Sequence, residues 1–308
     1  MQTTGFVKYG VLVPELRHHM LTYLDAESRL NYSQCSKTCN FEIAKFNTRA
    51  PQEVCITEHN NEIVVQLSYC QNEITKTFDS PSRSFEMKVL EMEKYILDAH
   101  RYVKEGRTKE LLINLKKWPT GIMRLKSLSE LEDLTVFMRT SMLDNFVDFI
   151  KNSTIQVKSL CLRDHHGRKR LKNCEEKVKR IFNTDFFRKV PEVALKLKCN
   201  VDNDDFLGFN NRNIVVILKK RLISNEAIRQ KVTQINNSSE PCCIIIQCPN
   251  ERSSHFNLVD VFPNQFQDLR RLFAIKNKQH CNIGNVLVIA VRPRNQLIIT
   301  SDGASNVE

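Results

Sequence analysis

The sequence predicts an α+β protein: a small N-terminal three-helix unit followed by an irregular α/β domain with loose leucine-rich-repeat character. Three observations carry this expectation. Apolar residues at helical spacing occupy Val11–Phe46, β-rich runs begin after Gln52, and short strands then alternate with helix-like segments toward the C-terminus. The boundaries expected are 1–48 for the helical unit, 49–300 for the α/β domain, and a frayed tail at 301–308.

Pro14 suits the first turn of a helix, where its missing N–H costs nothing, and Leu16, Met20 and Leu24 follow at i, i+4 and i+8 as one apolar stripe. Asp25 is placed to cap a second short helix carrying Leu30. Cys35, Cys39, Ile43 and Phe46 mark a third. About forty residues lie at the lower limit of independent stability, so this unit must lean on a partner or on the rest of the chain. Glu53–Glu58 and Glu62–Tyr69, separated by His59-Asn60-Asn61, read as a β-hairpin, and Phe85 to Val103 reads as a long amphipathic helix.

Farther on, Ser159–Leu162 and Ala194–Leu197 are similar strand-like pieces between helix-like segments. A leucine-rich solenoid needs several units at a fixed period of about 20–29 residues, and only two or three loose copies register here. The C-terminal part reads as strand 257–262, helix 263–274, strand 286–291 and strand 296–300 after a turn at Arg292-Pro293-Arg294-Asn295.

Composition excludes several classes. Eight glycines and nine prolines in 308 residues leave no room for a collagen-like chain or a Gly-rich phosphate loop, and 41% hydrophobic residues argue against intrinsic disorder. No apolar run is long enough to span a membrane, and residues 1–17 lack the apolar core of a secretory signal. Eleven cysteines without such a signal read as reduced thiols, so cytoplasm or nucleus is the expected location.

The chemistry-bearing motifs are mostly missing. No Walker, dinucleotide, nucleophile-elbow or zinc-protease signature occurs, so no catalytic residue and no cofactor are assigned. Asn200–Asp205 has the look of a calcium loop, but Leu207 stands where glycine is needed and Asn213 where glutamate is needed, which leaves a solvated turn. Cys161, His165, His166 and Cys174 have unusual zinc spacing and basic neighbours. Cys242 and Cys243 sit side by side in an Ile-rich strand and point to opposite faces, so no metal is expected at either place.

The N-terminal segment resembles an F-box, through Val13-Pro14-Glu15-Leu16, Met20-Leu21, Tyr23-Leu24-Asp25, Ser28-Arg29-Leu30 and Ser33-Gln34-Cys35-Ser36-Lys37. The last two elements are most similar to the large F-box families of nematodes, although Val13 stands where the family usually has leucine. The resemblance implies a non-catalytic substrate receptor of an SCF-type cullin ubiquitin ligase. Its N-terminal helices would bind the Skp-type adaptor through Pro14, Leu16, Met20, Leu21, Leu24 and Leu30, and its C-terminal domain would hold a target protein. Pro14, Leu16, Met20 and Leu30 are accordingly expected to be partly exposed in the free chain.

The competing expectation comes from charge. The net charge is +11, and within 163–180 eight bases face three acids. Arg163, Arg168, Lys169, Arg170 and Lys172 form a candidate anion-binding run, and a basic nucleic-acid-binding protein is the alternative function. An ordinary solvated charged face explains the same run, since aromatic interleaving is missing.

Overall fold

In the computed structural model the chain divides into two compact units, Met1–Leu131 and Glu132–Glu308. The structure describes residues 14–24, 26–36, 39, 48–70, 73–101, 103–164, 175–218, 220, 222–238, 240–248, 256–263, 278–291 and 295–301. The fold is mixed α/β. Among the described residues no helix is long and apolar enough to cross a membrane, and every described cysteine is a free thiol.

The first unit opens with helices α1 (Pro14–Thr22) and α2 (Ala26–Cys35). The expected cap at Asp25 and most of the expected third helix lie outside the described residues. A two-residue strand β1 (Thr48–Arg49) pairs in parallel with β5 (Val103–Glu105). The main strands of this unit are β2 (Glu53–His59), β3 (Glu62–Ser68), β4 (Glu73–Phe78) and β6 (Glu110–Asn114), in the spatial order β6-β2-β3-β4.

The β2–β3 hairpin forms where expected. Asn60 and Asn61 take φ of 49° and 69°, the left-handed pair that a two-residue type I′ turn requires and that asparagine tolerates. In that register Val54 faces Leu67 and Ile56 faces Val65, and all four side chains are buried. Each such side chain contributes about 1.5–3 kcal/mol by leaving water.

Helix α3 (Phe85–His100) starts at Ser84, whose hydroxyl accepts the Met87 N–H at 3.3 Å, and packs Val89, Met92 and Ile96 inward beside β3 and β4. It stops at His100 rather than the expected Val103, because 103–105 is recruited as β5. His100 is buried. Its Nδ1 lies 2.8 Å from the Ile96 carbonyl, and burial pushes its pKa below the ordinary value.

The second unit contains all but the first two residues of β7 (Glu130–Met138), then α4 (Leu143–Asn152), β8 (Gln156–Asp164), α5 (Glu175–Phe182), α6 (Asp185–Lys189) and β9 (Glu192–Cys199). Then come α7 (Asn203–Leu207), β10 (Asn213–Leu218), α8 (Asn225–Asn236), β11 (Cys243–Gln247), α9 (Leu258–Val261), β12 (Lys278–Ile283), β13 (Val286–Val291) and β14 (Gln296–Ser301). The spatial order is β12-β13-β14-β11-β10-β9-β8-β7. Strands β8, β9, β10 and β11 are parallel and stand side by side in chain order, and β14, β13 and β12 extend the sheet antiparallel.

That order fixes where the helices go. Crossovers between parallel strands are right-handed, so successive steps in one direction place every connecting helix on the same face. The burial pattern agrees. Leu160 and Leu162, Val193 and Leu195, Ile214 and Val216, Ile244 and Ile246, and Leu297 and Ile299 are all buried, whereas their neighbours of opposite parity on these strands are mostly half-buried or exposed. The helices supply Phe146, Val147, Ile150, Val178, Ile181, Ile228 and Val232 to the core. Phe182, Phe187 and Phe209 form a ring cluster with centroids 5.4–6.0 Å apart, each pair adding about 0.5–1.5 kcal/mol beyond area.

Three expectations need correction. Residues 257–262 are not a strand: Leu258, Val261 and Phe262 are buried at i, i+3 and i+4, which is helical spacing, and Phe262 N–H donates to the Leu258 carbonyl at 2.7 Å. The 200–205 segment is not a solvated turn. Asp202 and Asp205 form a reciprocal capping box that starts α7, with the Asp202 carboxylate accepting the Asp205 N–H at 2.9 Å. Ser301 does not fray, since it is buried in β14 and its hydroxyl accepts the Cys242 N–H at 2.8 Å. Most of the expected 263–274 helix, the 292–294 turn and the tail from 302 lie outside the described residues.

Candidate protein-docking surfaces

Helix α1 presents apolar side chains to solvent. Leu16 is 52% exposed, Met20 47% and Tyr23, just past the helix end, 77%. The three fall at i, i+4 and i+7, so they line one side of the helix. Tyr23 is held by His19: its hydroxyl lies 3.2 Å from His19 Nε2, and the two rings meet edge to face at 5.2 Å.

The expected adaptor-binding set therefore divides. Leu16 and Met20 point outward, Leu24 is half-buried beyond the helix end, and Leu21 and Leu30 are buried at 2% and 9% exposure. The expected exposure of Leu30 is thus corrected. The Arg29 Nε donates to the Leu21 carbonyl at 3.2 Å, tying α2 to the end of α1, and Leu30 packs inward beside that tie. The side chain of Pro14 lies outside the described residues. Tyr23 was missed as an apolar contact, although its i+7 spacing from Leu16 was there to be read.

In the second unit the basic run is largely neutralised where it is described. Lys177 and Arg180 of α5 reach Asp144 of α4 at 2.5 and 3.2 Å, and Lys179 pairs with Asp202 and, at 3.6 Å, with Asp205. The Lys177 ammonium, with Arg180 beside it, holds the Asp144 carboxyl below the usual carboxylate range. Arg163 of β8 pairs with no carboxylate among the described residues. Its guanidinium lies 5.8 Å over the Phe137 ring and its Nε donates to Cys161 Sγ at 3.3 Å. Arg168, Lys169, Arg170 and Lys172 lie outside the described residues, as do His165, His166 and Cys174.

Among the described residues no group of three His, Cys, Asp or Glu side chains could hold a metal ion. Burial pushes the Cys243 thiol up, that of Cys281 to about 11 and that of Cys199 to about 12. A cavity of about 330 Å³ is lined by Arg229, Val232, Thr233, Val261, Phe262 and Ile283. The Arg229 guanidinium is already committed there, to Glu226 at 2.7 Å and to the Val261 carbonyl at 2.8 Å.

The larger feature of this unit is the sheet face away from the helices, which was not legible in the sequence. Registers align Cys161, Ala194, Val215, Ile245, Ile298, Ile289 and His280 in a single row across seven strands, and all seven are half-buried. Parallel strands are ordinarily covered on both faces. Here one face carries the helices, and the other keeps an apolar row in partial contact with solvent. No family model, no curated protein and no solved structure matches the chain.

Proposed function

We propose that the protein is a substrate receptor of an SCF-type cullin ubiquitin ligase, with α1 and α2 docking the Skp-type adaptor and the second unit holding the target protein. The observation that carries this reading is the outward stripe Leu16–Met20–Tyr23, which lies within the segment that resembles an F-box. Contiguous apolar side chains left in water on an ordered helix are the mark of a surface that a partner covers.

The leucine-rich-repeat-like character of the second unit belongs to the same proposal. Parallel strands laid down in chain order, with their helices on one side, are what a solenoid uses to build an interaction face. The spacing of the strands is irregular, which sets this unit apart from a regular repeat. Nucleic-acid binding has less behind it, because Lys177, Lys179 and Arg180 are spent on Asp144, Asp202 and Asp205.

The test is co-purification of the full chain with the Skp-type adaptor. Wild type recovers adaptor, and the Leu16→Asp/Met20→Asp double variant recovers none, because an unpaired charge in an apolar interface costs several kcal/mol. Its melting temperature stays near that of wild type, since both positions are exposed. Absence of adaptor from the wild-type preparation overturns the proposal. Normal recovery by the folded double variant removes α1 as the contact.

A further inference from the structure

The face of the second unit's sheet away from the helices is broad and apolar. Around the row that crosses its strands, half-buried Ile217, Leu287 and Val291 widen it, and Cys243 lies flush within it. Seven strands about 4.8 Å apart, each five residues long at about 3.3 Å per residue, give a footprint of about 550 Å². Side-chain relief brings the accessible area close to the roughly 600 Å² per partner at which stable protein interfaces begin. The surface that fits a sheet face of this breadth is a second sheet, about 10 Å away with its strands within about 30° of the first.

Charge identifies that second sheet as a copy of this one. Arg163 and Lys196 stand opposite one another toward the C-terminal ends of β8 and β9, and Glu192 stands at the start of β9. By alternation along β7, exposed Asp133 shares the face of Phe137, over which Arg163 lies. These two cations and two anions cancel although the chain carries +11, so two copies can meet here without the repulsion their net charge exerts elsewhere. Glu192 and Lys196 are both exposed and flank Ala194 two residues to either side, about 13 Å apart and too far to pair with each other. A twofold axis along the row lays each strand antiparallel on its own counterpart. Lys196 of each copy then lies over Glu192 of the other, Val291 over Leu287, and Ile245 and Ile298 meet their own counterparts, as an isologous contact requires. A twofold axis parallel to the strands through β11 lays β9 on β13 instead, setting Lys196 on Val291 and Glu192 on Leu287 with both charges unpaired, which is costly.

We propose that this face is the interface of a homodimer, in which the second units of two copies pack sheet on sheet about a twofold axis along the row, with Lys196 of each copy paired to Glu192 of the other. The inference does not rest on the receptor reading above.

Sedimentation equilibrium of the full-length protein from about 1 to about 100 μM tests it, and the average mass rises from the monomer toward twice that value. Lys196→Glu and Glu192→Lys, both at exposed positions, keep the wild-type circular dichroism spectrum. Each alone weakens association about tenfold or more, because like charges then face one another twice. An equimolar mixture of the two variants restores the dimer, since both contacts are then between opposite charges. The Leu16→Asp/Met20→Asp variant dimerises as wild type does. A monomer at every concentration leaves the face to some other partner and overturns the inference. So does a dimer that both charge variants leave intact, a dimer that their mixture fails to restore, or one that the Leu16→Asp/Met20→Asp variant abolishes, which would place the association on α1. Adaptor recovery is scored on the same preparations: adaptor bound by a monomer sinks this inference and leaves the receptor reading, and a dimer without adaptor does the reverse.

Discussion

Helices α1 and α4 have nearly the same length, nine and ten residues, and put apolar side chains to opposite uses. In α4, Leu143, Phe146, Val147 and Ile150 all turn inward and are buried. In α1, Leu16 and Met20 turn outward and only Leu21 of its large apolar residues is buried among those described. The pair teaches that an apolar stripe at helical spacing does not say which way it faces. A helix held by its stripe owes its order to the core, and a helix that exposes its stripe has surface left for a partner.

The largest expected effect breaks the comparison if it fails. Phe146→Ala opens a cavity in the second unit and costs about 3–5 kcal/mol, whereas Leu16→Ala stays within about 0.5 kcal/mol. Urea unfolding of the two variants measures both. A Leu16→Ala loss as large as that of Phe146→Ala would mean that α1 contributes its stripe to a core after all.

A smaller effect comes from α3, a third helix, which buries a titratable group along with its stripe. Burial lowers the pKa of His100, so the folded protein prefers the neutral ring. Stability from this group is fully present above the unfolded pKa of about 6.5 and is lost as pH falls through that value toward the folded pKa, with a slope of at most about 1.4 kcal/mol per pH unit. Thermal melts between pH 7.5 and 5 check this, and His100→Gln flattens the profile. An unchanged profile in the variant assigns the acid sensitivity to other groups.

What the sequence made legible follows from how local each signal is. The β2–β3 hairpin was readable because alternation and two turn asparagines lie within a few residues of one another. The β8 and β9 segments were readable for the same reason. The open face was not. Val215, Ile289 and Ile298 look like any strand core, and their alignment in one row depends on β14 and β13 adding beside β11, a long-range pairing that no local pattern records. Leu30 was misplaced because its direction depends on how α2 packs, and the short 258–261 helix was hidden in a run that also fits a strand. The 200–205 segment lacks the glycine and glutamate of a calcium loop, and its Asp202–Asp205 spacing is instead a capping signal, readable only once a helix is known to follow.

The central claim is that α1 carries its apolar residues outward for an adaptor. Hydrogen–deuterium exchange of the full chain, with and without purified Skp-type adaptor, tests it most directly. The prediction is that adaptor slows exchange in peptides covering Pro14–Thr22 and Ala26–Cys35 and leaves Leu143–Asn152 unchanged, because α4 has no exposed stripe to cover. Identical exchange over 14–35 in the two samples, or protection that appears at α4 instead, would contradict it.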